Sequence, residues 1–91
     1  MTTLKINELE FDHASYDKDA DVLYLSIGEP RAATGVETPE GHIVRYDDEG
    51  HVVGLTIIGA RELLATQHRV DITLPARTEL RSEDLEPALS A

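Results

Sequence analysis

Cysteine and tryptophan are absent from this chain of 91 residues, and methionine and phenylalanine occur once each. Without thiols there is no disulfide and no thiolate metal site, and no ligand spacing of a structural zinc is present, so the usual staples of a small fold are excluded. The lack of cysteine fits a reducing compartment. No stretch approaches the ~18 apolar residues of a membrane span, and Met1 to Asn7 show no basic segment leading into an apolar run, so a cytoplasmic protein without membrane contact is expected. Platforms for stacking nucleic-acid bases are scarce as well, since the aromatic residues are Phe11, Tyr16, Tyr24 and Tyr46 alone. A single domain this short buries a modest fraction of its surface, which leaves association with another copy as the remaining support.

Positive charge is also in short supply. Eight Lys and Arg stand against 18 Asp and Glu, a net charge of −10. Residues 1–50 hold 12 acids and 4 bases, a balance of −8, and residues 51–91 hold 6 acids and 4 bases, a balance of −2. An acidic first half repels phosphate backbones and anionic lipid, which argues against nucleic acid as a partner, while it would steer a basic protein toward the molecule. Plain solubility is the competing explanation of the same charge.

What the chain does carry is β-type sequence cut by acidic turns. Leu4, Ile6, Leu9, Phe11 and His13 alternate and suggest one or two short strands. Residues 22–27 read as a clear strand, with Leu23, Leu25 and Ile27 on one face and Val22, Tyr24 and Ser26 on the other. Residues 34–37 and 42–47 flank Thr38-Pro39-Glu40-Gly41, a hairpin turn with Pro second and Gly fourth. Asp47-Asp48-Glu49-Gly50 reverses the chain again, Gly50 being suited to a left-handed position. Residues 52–58 form the next strand, apolar on both faces, and Gly59 ends it before a short helix at 60–67 whose Leu63 and Leu64 cover one sheet face. Residues 70–74 alternate as a further strand stopped by Pro75, and residues 82–86 start a helix that Pro87 and the final Ala-Ser-Ala reduce to a loosely held tail. The expected fold class is therefore α+β: a small antiparallel β-meander with one short helix packed on one face.

Chemistry-bearing constellations are few. Asp17, Asp19 and Asp21 have the D-x-D-x-D spacing that opens a calcium loop, yet Val22 occupies the position that needs Gly and Gly28 the one that needs a bidentate Glu. Asx-type capping of their own turn by Asp17 and Asp19 is the alternative, with the Asp21 side chain in solvent. His42 and His51 bracket one hairpin and could face each other across the ladder, which with the turn carboxylates would make a metal or ligand site. No nucleophile elbow surrounds a serine, and no Gly-rich phosphate loop precedes a helix. The acids Asp47, Asp48 and Glu49 sit at an expected exposed turn, where a carboxyl keeps an ordinary pKa.

In combination, Tyr16-Asp17 with Ala20-Asp21-Val22-Leu23-Tyr24-Leu25, then Gly41-His42-Ile43-Val44-Arg45-Tyr46-Asp47, Gly50-His51-Val52-Val53-Gly54-Leu55 and Ile57-Ile58-Gly59-Ala60, resemble the small bacterial proteins of the domain-of-unknown-function 2283 family. The resemblance covers about residues 14–65 and leaves 70–91 as a C-terminal extension. Arg45 stands where members often have Asp. The resemblance implies a compact β-meander with a helix, no established activity and no catalytic residue or cofactor to carry over. Members encoded beside toxin-like proteins suggest an antitoxin-like role. The expectation is a non-enzymatic interaction module. Its acidic residues Asp17, Asp19, Asp21, Asp47, Asp48 and Glu49 would meet a basic partner, and Val22, Tyr24, Val52, Thr56 and Ile58 would form a homodimer interface. The alternative is a small metal- or ligand-binding enzyme that uses His42, His51 and the turn carboxylates.

Overall fold

A computed structural model describes residues 3–74 and 76–90. Its centre is a five-stranded antiparallel sheet in the order β3 (His13–Asp17), β4 (Val22–Ser26), β7 (Val52–Ile58), β6 (Ile43–Tyr46), β5 (Thr34–Glu37). Two hairpin-connected groups meet where β7 pairs with β4, from Val22 opposite Ile58 to Ser26 opposite Gly54. Ahead of it, β1 (Leu4–Ile6) and β2 (Leu9–Phe11) form a hairpin of their own rather than entering the sheet. Behind it come α1 (Ala60–Gln67), a hairpin of β8 (Val70–Thr73) and β9 (Arg77–Leu80), and α2 (Ser82–Leu89).

Local turn chemistry sets the sheet's reversals. Thr38 O accepts the Gly41 N–H at 2.9 Å and Asp47 O accepts the Gly50 N–H at 3.0 Å, so both expected turns close at the expected residues. Gly50 takes φ 84°, where a side chain would strain the backbone. Asp47 Oδ1 then takes the N–H groups of Glu49 and His51, both at 2.9 Å, and stiffens the loop.

The core lies on one side of the sheet only. Leu23, Leu25, Val44, Leu55 and Ile57 form its floor, and over them lie Leu4, Ile6 and Phe11 from the first hairpin, Ala60 and Leu64 from α1, Val70, Ile72 and Leu80 from the second hairpin with Leu74 beyond β8, and Leu85, Ala88 and Leu89 from α2. Asn7, at φ 56°, locks the first hairpin to the second through Nδ2 bonds to Leu74 O at 3.1 Å and Thr78 Oγ1 at 3.0 Å.

Three expectations change. Strands β4 and β7 are not buried on both faces, because every covering element packs on the floor side. The C-terminal segment is no loose tail but a second helix, with Leu85, Ala88 and Leu89 buried despite Pro87. The lost N–H of one proline costs about 3 kcal/mol, which burial of two leucines at about 1.5–3 kcal/mol each offsets. Arg81 precedes this helix, its N–H donating to Asp84 Oδ2 at 2.9 Å. Third, the β6–β7 register shifts between Arg45 and Tyr46, so that Tyr46 pairs with Val52 and both pack against the core. Val52 is thereby removed from the expected interface. Pro75, expected to stop a strand, lies outside the described residues.

Candidate functional site

The densest set of polar contacts surrounds Asp21. It occupies the last position of the β3–β4 turn at φ 56°, a left-handed conformation that Asp tolerates better than most residues. Its backbone oxygen accepts the N–H groups of Gly59 at 2.8 Å and Ala60 at 3.3 Å. Its carboxylate accepts from Arg61 N at 2.9 Å, Glu62 N at 3.1 Å and Tyr16 Oη at 2.7 Å. Helix α1 begins at Gly59, which has no side chain to cap it, and Asp21 supplies the missing cap from across the fold. Burial alone would raise the Asp21 pKa, but the bonds from Tyr16 and the two helix amides outweigh it and hold the carboxyl below its ordinary value. The bond to Asp21 in turn raises the Tyr16 phenol. Arg61 stacks 5.6 Å above the Tyr16 ring and reaches Glu86 Oε1 of α2 at 3.2 Å. This junction fastens turn, helix and tail together. The expectation that Asp21 points into solvent is thus overturned, because a helix start within reach offers its carboxylate unpaired donors.

The other acids do not join it. Asp17 Oδ1 accepts from Asp19 N at 3.1 Å and Ala20 N at 3.2 Å, an Asx-type turn, and Asp19 is exposed. The two acidic turns lie at opposite ends of β7, since Ile58 is level with Val22 and Val52 with Tyr46. Asp17, Asp19, Asp21, Asp47, Asp48 and Glu49 therefore form no single patch. Asp47, Glu49 and His51 do place potential ligand atoms within 4.8 Å of one another. Asp47 Oδ2, however, lies 3.6 Å from His51 Nδ1 and 3.9 Å from Arg31 Nη2, and that guanidinium supplies positive charge where a cation would need the opposite. The backbone bond from His51 is the main reason the Asp47 carboxyl sits low.

The two histidines of the expected cross-strand pair are separated in the same way. His51 is exposed beside Asp47, whereas His42, before β6, is 2% exposed at the Ile58 end. Ile58 N–H donates to His42 Nδ1 at 3.1 Å, and burial lowers the ring's pKa, opposed in part by Glu40. Glu40 is itself fixed, its Oε1 accepting from Thr73 N and its Oε2 from Thr73 Oγ1, both at 2.9 Å. Against the pull of burial, the Thr73 bonds keep this carboxyl low.

On the sheet face away from the core, Tyr24 and Ile58 are 48% and 45% exposed. The register sets Val22 beside Ile58 and Thr56 between Tyr24 and Ile43, a contiguous apolar stripe across three strands. Ile43 escaped the sequence reading, and only its pairing with Thr56 reveals it. Four of the five expected interface residues, Val22, Tyr24, Thr56 and Ile58, lie on this face. No helix of the described residues is long and apolar enough to cross a membrane.

Turn, strand and helix residues that look unrelated along the chain, Tyr16, Asp21 and Gly59 among them, meet at the α1 start and lie within one recognised segment. No curated protein and no solved structure matches the chain. A family model described as "Protein of unknown function (DUF2283)" matches residues 13–61, more than half of the chain, and the protein belongs to that family.

Proposed function

We propose that the protein is a non-enzymatic interaction module that pairs with a second copy through the uncovered face of its five-stranded sheet. The observation that carries this reading is the stripe of Val22, Tyr24, Ile43, Thr56 and Ile58, with Tyr24 and Ile58 exposed and the other three half-buried, which no element of the described residues covers. The same face holds one base, Arg45, against two acids, Asp17 and Glu37, a balance of −1 on a molecule of net charge −10, so a second copy is repelled less there than at the acidic turns. Light scattering and sedimentation at micromolar concentration test it. The expected mass is two chains, and Tyr24→Asp with Ile58→Asp returns one chain of unchanged circular dichroism. A one-chain mass for the parent protein refutes the reading.

A second reading, an antitoxin-like acidic partner of a basic protein, draws on the exposed charges Asp19, Asp48 and Glu49. Their division between two ends of the sheet favours a partner that spans the molecule. Its signature is an association rate that falls as salt rises and falls again when these three acids are neutralised.

A further inference from the structure

His42 holds an unused donor. Because Nδ1 accepts the Ile58 N–H, the neutral ring carries its proton on Nε2. Nε2 has no hydrogen-bond partner among the described residues, and it is not sealed in, since no fully buried side-chain nitrogen or oxygen lacks one. His42 lines the floor of a 460 Å³ cleft between the β5–β6 turn and α1, walled by Glu40, Glu62, Leu63 and Gln67. A second depression of 230 Å³ adjoins it past Gln67. The cleft thus combines one unpartnered donor on a largely buried ring, an apolar wall and two carboxylates. Glu40 is pinned by Thr73, and Glu62 makes no ion pair among the described residues, although its backbone N–H is held by Asp21. By contrast, the 440 Å³ depression between Arg69, Asp71, Arg77 and Glu79 offers no free charge of this kind, because Asp71 pairs with both Arg69 and Arg77 at 3.1 Å.

We propose that this cleft binds a cationic nitrogen with a neighbouring carbonyl oxygen, the nitrogen between Glu40 and Glu62 and the oxygen on His42 Nε2–H. A bare cation would leave the His42 donor unmet, and an anion would meet two carboxylates. The chemistry is that of an amino-acid amide, free or as a basic residue on a partner's backbone. The cleft meets the sheet-face stripe at Ile58, which lines both, but its polar groups Glu40, His42 and Glu62 lie outside that stripe.

The test is a titration of the ¹⁵N-labelled full chain with lysine amide and with acetyl-Gly-Lys-Gly amide, followed at the His42 imidazole and the amides of Leu63 and Gln67. Saturable shifts at these positions are expected. Tighter binding of lysine amide identifies a free amine as the natural ligand, and tighter binding of the peptide identifies a residue of a partner chain. His42→Asn keeps an oxygen acceptor for the Ile58 N–H and withdraws the donor from the place of Nε2, which the shorter side-chain amide does not reach. Glu62→Gln removes one charge from an exposed side chain. Each is expected to weaken binding roughly tenfold, the scale of one lost hydrogen bond to a charged or buried group. If His42→Asn fails to fold, Glu62→Gln decides alone. No shift with either probe overturns the proposal. So do shifts that Glu62→Gln leaves unchanged and that spread equally over Asp48 and Glu49, which would mark diffuse attraction to an acidic surface.

Discussion

Replacing Asp21 separates a solvent-facing turn acid from a helix cap supplied across the fold. Asp21→Ala removes the acceptor of the Arg61 and Glu62 N–H groups, a cap loss of about 0.5–2 kcal/mol. It also strands the Tyr16 hydroxyl, whose bond to a charged acceptor is worth about 1.5–3 kcal/mol when dry and less at this half-buried position. Alanine at φ 56° adds about 1 kcal/mol of backbone strain. Water recovers part of each contact, so the expected total is about 2–4 kcal/mol, a large share of the ~5–15 kcal/mol that holds a domain together. For a domain of this size that lowers the melting temperature by roughly 10–25 °C.

Asp21→Asn is expected to cost about 1 kcal/mol, because Asn tolerates the left-handed backbone and keeps one oxygen for the helix amides while losing the charge. Asp21→Gly isolates the cap, since it relieves the strain and deletes the carboxylate. Urea unfolding of the three variants, with Tyr16→Phe to close a double-mutant cycle on the phenol bond, apportions the effect. The reasoning fails if Asp21→Ala unfolds within about 0.5 kcal/mol of the parent protein, the range of an ordinary surface substitution.

Two further outcomes follow from the same contacts. Leu85→Ala is expected to cost about 2–5 kcal/mol in urea unfolding, because Leu85 is fully buried in α2, whereas a loose tail would make it neutral. Stability is expected to fall with acid in two stages. A group whose folded pKa is depressed favours the folded state above its unfolded pKa and loses that contribution as pH falls, so His42 withdraws support below its ordinary 6.5, and Asp21, Asp71 and Glu40 follow below their ordinary 3.8, 3.8 and 4.5. Urea midpoints between pH 8 and pH 3 follow both stages, and His42→Asn should erase the first alone.

The reversals were legible because their causes are local. Thr38-Pro39-Glu40-Gly41 and Asp47-Asp48-Glu49-Gly50 specify turns from neighbouring residues, and the strands between them alternate at period two. Asp21 was misread because its donors, Arg61 and Glu62, lie 40 and 41 residues away, beyond any spacing rule. Val52 was misread because one shifted pair in a ladder exchanges the faces of everything past it. Strand β9 was missed for a third reason. Its Arg77-Thr78-Glu79-Leu80 has one buried position, and it is strand only because β8 offers a register from Val70–Leu80 to Thr73–Arg77. His42 stood among the candidates, but with the wrong companion, since the ladder carries His51 to the far end and puts Ile58 in its place.

The family-matched segment and the folding unit are different objects. Of the 17 clustered core residues, residues 13–61 contribute Leu23, Leu25, Val44, Leu55, Ile57 and Ala60, and the remaining 11 come from outside the match. The sheet therefore brings its floor, while both short hairpins, most of α1 and all of α2 bring the lid. A sheet with an uncovered floor exposes about 1.5–3 kcal/mol of burial at each large side chain. Covering that floor takes every strand and helix of the described residues outside the segment, β1, β2, β8, β9 and α2, together with α1. The outer face is left with nothing among the described residues to cover it. The lid thus completes one side of the sheet and, in doing so, settles that Tyr24, Ile43 and Ile58 face whatever lies outside the molecule.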